Sequence, residues 1–206
     1  MVSEKFMVNS DTERMAAARY ATESFARQVK LNKRNTLRLD LLVEETLGMT
    51  KAMLNEFYGQ LWFVEKYGVC EIHFEATADM DSGKKRELLD LSSTGKNVAA
   101  RGFMARLGEV MSGVLRGFGN TLDAYGQETI QYGIVHTPEA VAMGADISPI
   151  WTLQAYRTDL AKVQASDDAA DEALEDLEKS IVARIADDVI VGVKGDRVDL
   201  IIIKRF

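Results

Sequence analysis

From Val69 to Ala78 the chain alternates with a period of two: Ile72, Phe74 and Ala76 fall on one side, Glu71, His73, Glu75 and Thr77 on the other. Successive side chains of a strand point to opposite faces, so this segment is a strand with one wet face and one face that must be covered. Gln60–Val64 precedes it across a turn at Lys66, Tyr67 and Gly68, and the two runs predict an antiparallel hairpin. A second hairpin closes the chain, with Val189–Val193 and Val198–Ile203 joined by a tight turn at Lys194, Gly195 and Asp196. Antiparallel strands with one dry face call for helices laid against that face.

The remaining segments supply those helices. Lys5–Val8 reads as a short strand, and Ser10 to Glu13 has capping-box spacing, with the Ser10 hydroxyl facing the amide of Glu13. Behind it Met15, Ala18, Ala21, Phe25 and Val29 mark one helical face. Thr36–Leu54 forms a second helix with leucines on more than one face, which predicts a helix buried on most sides. Asp79–Lys85 and Ser92–Asn97 are loops, the second opening a helix from Val98 to about Met111. Residues 112–150 are glycine-dense, with a weak strand signal over Thr129–Val135. Trp151–Gln164 and Asp168–Ala186 are read as helices, the latter with Ala170, Leu174, Leu177, Ile181 and Ile185 on one face. The sum is an α/β (α+β) fold. It is a two-layer sandwich of a mostly antiparallel mixed sheet with helices on one face, a single domain over 1–206 with a helical insertion at roughly 112–178.

Composition narrows the function classes. With 25 Lys and Arg against 32 Asp and Glu the net charge is −7, which argues against phosphate-backbone binding to nucleic acid. One cysteine, Cys70, excludes an internal disulfide framework, and His73 and His136 lie too far apart for a zinc cluster. No signal-peptide core and no apolar run of 18 residues is present, so the expectation is a cytoplasmic protein without a membrane span.

Three clusters carry possible chemistry. Glu44 and Glu45 lie in the second helix, where burial raises a carboxyl towards general-base use; equally, one faces solvent and the other pairs with a cation. Asp79 and Asp81 end a strand, the place for an acid that accepts a hydrogen bond from an adenine amine, and equally the place for turn formers. Ser92–Asn97 precedes a helix whose N-terminal amides, with Lys96, can cradle an anion, or simply cap the helix.

The opening strand, the Arg19 helix and the run Leu39–Leu47 resemble the start of the anti-sigma-factor serine kinases, members of the GHKL (histidine kinase-like) ATPases. Asp79–Gly83 stands where that family has its Asp-x-Gly-x-Gly adenine box, Thr94–Phe103 resembles its glycine-rich box, and Asp187–Lys204 its closing hairpin. The resemblance implies ATP or ADP as ligand. Glu45 would be the catalytic base, Asp79, Asp81 and Gly83 would hold adenine, and Gly95, Lys96, Asn97 and Gly102 would cradle phosphate, in a cleft between the three boxes. It also implies a protein partner such as a sigma factor or an anti-sigma antagonist, and a mobile lid over 113–150. The departures point away from catalysis. The family's magnesium-binding Asn follows its catalytic Glu by four residues, and here that position holds Met49, or Gly48 if Glu44 is matched; neither is a magnesium ligand. Lys85 replaces the second glycine of the adenine box. The expectation is therefore a regulatory protein with weak or lost nucleotide binding and no metal, the alternative an active ATP-dependent serine kinase. The apolar faces of the insertion's helices must pack on the sheet or on a second copy, as a homodimer.

Overall fold

The computed structural model describes residues 1–54, 56–77, 134–135, 150–163, 174–175, 177–178, 180–194 and 197–206. In chain order the elements are β1 (Phe6–Asn9), α1 (Thr12–Gln28), α2 (Lys33–Leu54), β2 (Tyr58–Lys66), β3 (Val69–Thr77), β4 (Ile134–Val135), β5 (Ile150–Thr152), α3 (Leu153–Val163), α4 (Ile181–Ile185), β6 (Asp188–Lys194) and β7 (Arg197–Arg205). The expected α+β architecture is present. The strands form one seven-stranded sheet in the order β1-β2-β3-β7-β6-β5-β4, antiparallel at each described pairing.

Helix α1 starts one residue later than its capping box predicts. Asp11, not Ser10, is the cap, its carboxylate accepting from the Glu13 amide at 3.1 Å, while Asn9 Oδ1 accepts from the Asp11 amide at 3.0 Å. The carboxylate is the stronger acceptor for an orphan helix amide, and it also meets the positive end of the helix dipole. At the other end Lys30 takes the left-handed conformation (φ 57°), with Leu31 N–H donating to Ala26 O and Lys30 N–H to Arg27 O. This Schellman turn reverses the chain within three residues. Asn32 then caps α2 by accepting from the Asn35 amide at 2.9 Å, so α2 begins earlier than the apolar pattern alone indicates.

α1 and α2 pack side by side. Ala18, Ala21, Thr22, Phe25 and Ala26 are the buried row of α1; Leu39, Leu42, Val43, Thr46, Leu47 and Thr50 are that of α2. The expectation of an α2 buried on most sides is corrected: Leu37, Leu41, Glu44 and Gly48 are exposed, so α2 is covered on one face. The buried threonines cost little, because Thr22, Thr46 and Thr50 donate their hydroxyls to the carbonyls of Ala18, Leu42 and Thr46 one turn back.

On the sheet face under the helices, Leu61 and Phe63 of β2, Cys70, Ile72, Phe74 and Ala76 of β3, Val189 and Val191 of β6 and Val198, Leu200 and Ile202 of β7 are all buried. Phe25 stacks on Phe63 with ring centroids 4.9 Å apart, and Phe57 meets Phe74 edge-on at 5.6 Å. Gly59 is required by the close approach of β2 and β3: a Cβ there would lie 2.6 Å from the Glu75 carbonyl oxygen. The β2–β3 turn is Tyr67-Gly68 with positive φ at both residues (53° and 79°), the two-residue hairpin geometry whose twist matches that of its strands.

Two further expectations are corrected, and a third is met over the residues described. Trp151 is not helical; it lies in β5, fully buried, and α3 begins at Leu153, where Thr152 Oγ1 accepts from the Ala155 amide and Asp188 Oδ1 from the Gln154 amide. Of the strand expected over Thr129–Val135, Ile134–Val135 is described, paired with β5. The helix expected over Asp168–Ala186 does not run through Ser180, which is extended and caps α4 by accepting from the Ala183 amide. That break resets the helical phase, so Val182, Ala183 and Ala186 turn inward and Ile181 outward. The described part of the insertion continues the sheet: β5 pairs with β6, Trp151, Leu153, Tyr156 and Leu160 join the core, and Arg157 donates to the Ala183 carbonyl of α4. The loops over 79–97, the helix over 98–111 and most of the lid expected over 113–150 lie outside the described residues.

Candidate functional site

Of the candidate residues, Glu44 and Glu45 are described; Asp79, Asp81, Gly83, Gly95, Lys96, Asn97 and Gly102 all lie outside the described residues. Glu45 is half-buried on α2, whereas Glu44 is exposed. One residue is about 100° of helix, so the two carboxylates leave α2 in different directions. Asp40 and Glu44, four apart, share the flank turned towards α1, where Arg19 and Glu23 form an ion pair at 3.8 Å. Glu45 occupies the flank away from α1. No described cation pairs with it. Strand β3 ends at Thr77, two residues before Asp79.

Asp40, which sequence reasoning passed over, is an acid that the fold holds above the usual carboxylate range. Burial pushes its carboxyl up, Glu23 and Glu44 push the same way, and Arg19 opposes. Its Oδ1 is enclosed without a hydrogen-bond partner among the described residues. A signal was present: Asp40 interrupts the apolar run Leu39–Val43, at the edge of the stripe that faces the core.

His73 lies on the sheet face away from the helices, as the alternation requires. It stacks on Trp62 at 5.0 Å between ring centroids, and its Nε2 is 2.8 Å from Glu71 Oε2. The Lys5 ammonium sits 4.2 Å from the centroid of the Trp62 ring, a cation–π contact. Beside this group Arg197 bridges Glu75 and Asp199, each at 2.9 Å. Among the described residues no three His, Cys, Asp or Glu side chains converge to hold a metal. Cys70 is buried, with its thiol pushed up to about 12 by burial first and by Glu65 and Glu71 next. It stays protonated and serves as a small core side chain rather than a nucleophile. No helix among the described residues is long and apolar enough to cross a membrane.

Comparison of the chain with protein-family models, with curated proteins and with solved structures finds no match.

Proposed function

We propose that this chain is a cytoplasmic regulatory protein built on a divergent histidine kinase-like ATP-binding fold, related to the anti-sigma-factor serine kinases. On this reading it acts by binding a protein partner such as a sigma factor or its antagonist, with nucleotide binding weak or lost. The observation that carries the reading is the arrangement of the two ends of the chain. β1-α1-α2-β2-β3 and the closing β6–β7 hairpin share one antiparallel sheet with α1 and α2 on one face, the element order that the resemblance implies. What favours loss of metal-dependent chemistry is residue type. One turn beyond Glu44 and Glu45 stand Gly48, whose surroundings are open, and Met49, neither of which offers the oxygen ligand that magnesium demands.

Titration with ATP and ADP, each with and without Mg²⁺, tests this by calorimetry and thermal shift. Weak or absent binding is expected, with affinity changed less than tenfold by the metal. A tenfold or greater rise, about 1.4 kcal/mol, overturns the reading and means that an unrecognised metal ligand exists. The serine-kinase alternative draws on one observation: Glu45, unlike Glu44, is half-buried on the flank of α2 away from α1. It requires phosphate transfer to a partner serine that Glu45→Gln abolishes.

A further inference from the structure

The tip of the α1–α2 hairpin gathers charge of one sign. Between Glu23 and Asp40 the chain carries Arg27, Lys30, Lys33, Arg34 and Arg38 and no carboxylate, in a protein whose net charge is −7. Arg27, Lys30, Lys33 and Arg34 are exposed and Arg38 is half-buried. None of these cations is ion-paired among the described residues. Helix stability accounts for only part of this placement. Arg27 and Lys30 suit the negative end of the α1 dipole, but Lys33 and Arg34 open α2, whose first turn holds no acid. A cation there faces the positive end of a helix and costs stability, whereas α1 begins with Asp11 and Glu13, as its dipole prefers.

Apolar surface lies beside those cations. Leu37 and Leu41, one turn apart, are 51% and 41% exposed on the side of α2 opposite its buried Leu39, Leu42, Val43 and Thr46. At about 100° per residue, Arg34 and Arg38 fall within about 60° of Leu41, so the outward ridge of α2 is a leucine crest flanked by guanidinium groups. The furrow between the helices is different: Glu23, Asp40 and Glu44 meet there. An acidic peptide laid in that furrow would face like charge, whereas a flat anionic surface meeting the ridge and the tip faces leucine and cations.

We propose that the tip of the α1–α2 hairpin docks on an anionic lipid surface. Arg27, Lys30, Lys33, Arg34 and Arg38 then stand against the headgroup phosphates, and Leu37 and Leu41 enter the apolar boundary beneath them. Glu44 and Glu45 follow Leu41 along α2 and are repelled by such a surface, which confines the contact to the start of α2 and the turn before it. The attachment is peripheral and reversible, needs no spanning helix and does not depend on nucleotide binding.

Co-sedimentation of the full chain with vesicles tests this, using phosphatidylcholine alone and phosphatidylcholine with about 30% phosphatidylglycerol as the anionic lipid. Binding to the anionic vesicles is expected to exceed binding to the neutral ones by at least about tenfold, and to fall as salt screens the surface. Lys33→Glu with Arg34→Glu is expected to cost more than about tenfold in affinity, since each cation near such a surface contributes about fivefold. The same pair places acids at the start of α2 and is expected to melt no lower than wild type, so that its loss of binding is not loss of fold. Leu37→Ser with Leu41→Ser, at positions exposed in the native chain, gives a second readout: binding is expected to weaken with its salt dependence kept. A chain that stays in solution with anionic vesicles at low salt overturns the proposal and leaves the patch to an acidic protein partner. Equal binding to neutral vesicles, or full binding by either double variant, overturns it too.

Discussion

Strands β3 and β7 lie side by side and pair residue for residue, from Val69↔Arg205 to Thr77↔Arg197, yet their sequences are written differently. β3 alternates: Cys70, Ile72, Phe74 and Ala76 go under the helices, and Glu71, His73 and Glu75 go to the other face. β7 carries the unbroken apolar run Leu200–Ile203, but it buries alternate residues all the same, with Leu200 and Ile202 under the helices and Ile201 and Ile203 half-buried opposite. An alternating strand declares its own face. A continuous run does not, and β7, with three strands on either side, takes its face from register. The ladders with β3 and β6 pin that register, and Asp199 penalises leaving it. A one-residue slip would turn Asp199 and Arg197 together to the core face and part Arg197 from Glu75 of β3, which it meets at 2.9 Å, at the cost of burying charge.

The sharpest way to break this comparison is to truncate adjacent isoleucines of β7. Ile202→Ala removes packing from the fully buried face and is expected to cost about 2–5 kcal/mol in denaturant unfolding. Ile201→Ala, between His73 and Ile190 on the half-buried face, is expected to cost less than about half as much, since less of its surface leaves water. Equal losses would mean that both sheet faces are equally dry, and that β7 is an enclosed strand rather than a one-sided one.

A second contrast, between a partnered and an unpartnered acid, has opposite signs in pH. Asp187 stands just before β6. Burial alone would raise its carboxyl, but hydrogen bonds from the Arg205 amide and the Lys204 ammonium, with the charges of both residues, hold it below the usual range. Its stabilising effect is present above the ordinary carboxylate pKa and is lost as pH falls through the lowered one. Asp40 on α2 is raised instead, by burial first and then by Glu23, so its ionised form costs stability above the raised pKa and the cost disappears as pH falls. Asp187→Asn is therefore expected to lower Tm at neutral pH, and Asp40→Asn to raise it. Both differences shrink on acidification, and melting curves across the carboxylate range read them directly. A neutral-pH gain from Asp187→Asn would show that its two partners do not outweigh its burial.

What was legible follows the same division. β3 and α1 advertise themselves through periods of two and of three and four, because each has one wet side, while β2, β6 and β7 are marked by apolar runs joined at turns. The misreadings fall where that signal ends. β5 is three residues long and runs straight into α3, so Trp151, Leu153, Tyr156 and Leu160 look like one helical stripe, although the first belongs to a strand. The stripe Leu174, Leu177, Ile181 continues across Ser180 as if unbroken, because apolar spacing does not register a serine that leaves the helix to cap the next one. Of the site, Glu45 was placed on its helix, but Asp40 was missed: a desolvated acid is made by the packing of α1 against α2, which no single segment encodes. The remaining site residues were read from loop motifs, and those loops lie outside the described residues.

The smallest expected effect concerns the turn that sets the β2–β3 register, and through β3 that of β7. Tyr67 is 99% exposed and holds φ at 53°, a left-handed conformation that costs an ordinary residue roughly 1–2 kcal/mol. Its aromatic ring gains no burial in return. The turn is held instead by Gly68, whose N–H donates to Glu65 Oε1 at 3.0 Å and whose carbonyl accepts from the Phe206 amide at 3.0 Å. None of these contacts uses the Tyr67 side chain. Tyr67→Asn would create the Asn-Gly pair that this turn type favours, relieving backbone strain without touching a contact, and is expected to stabilise by about 0.5–1 kcal/mol. Tyr67→Val, β-branched and poorly tolerated at positive φ, is expected to destabilise. If denaturant midpoints moved the other way for the pair, the register of β3 would have to be fixed by its packed face alone, and the turn would be a consequence of the pairing rather than one of its causes.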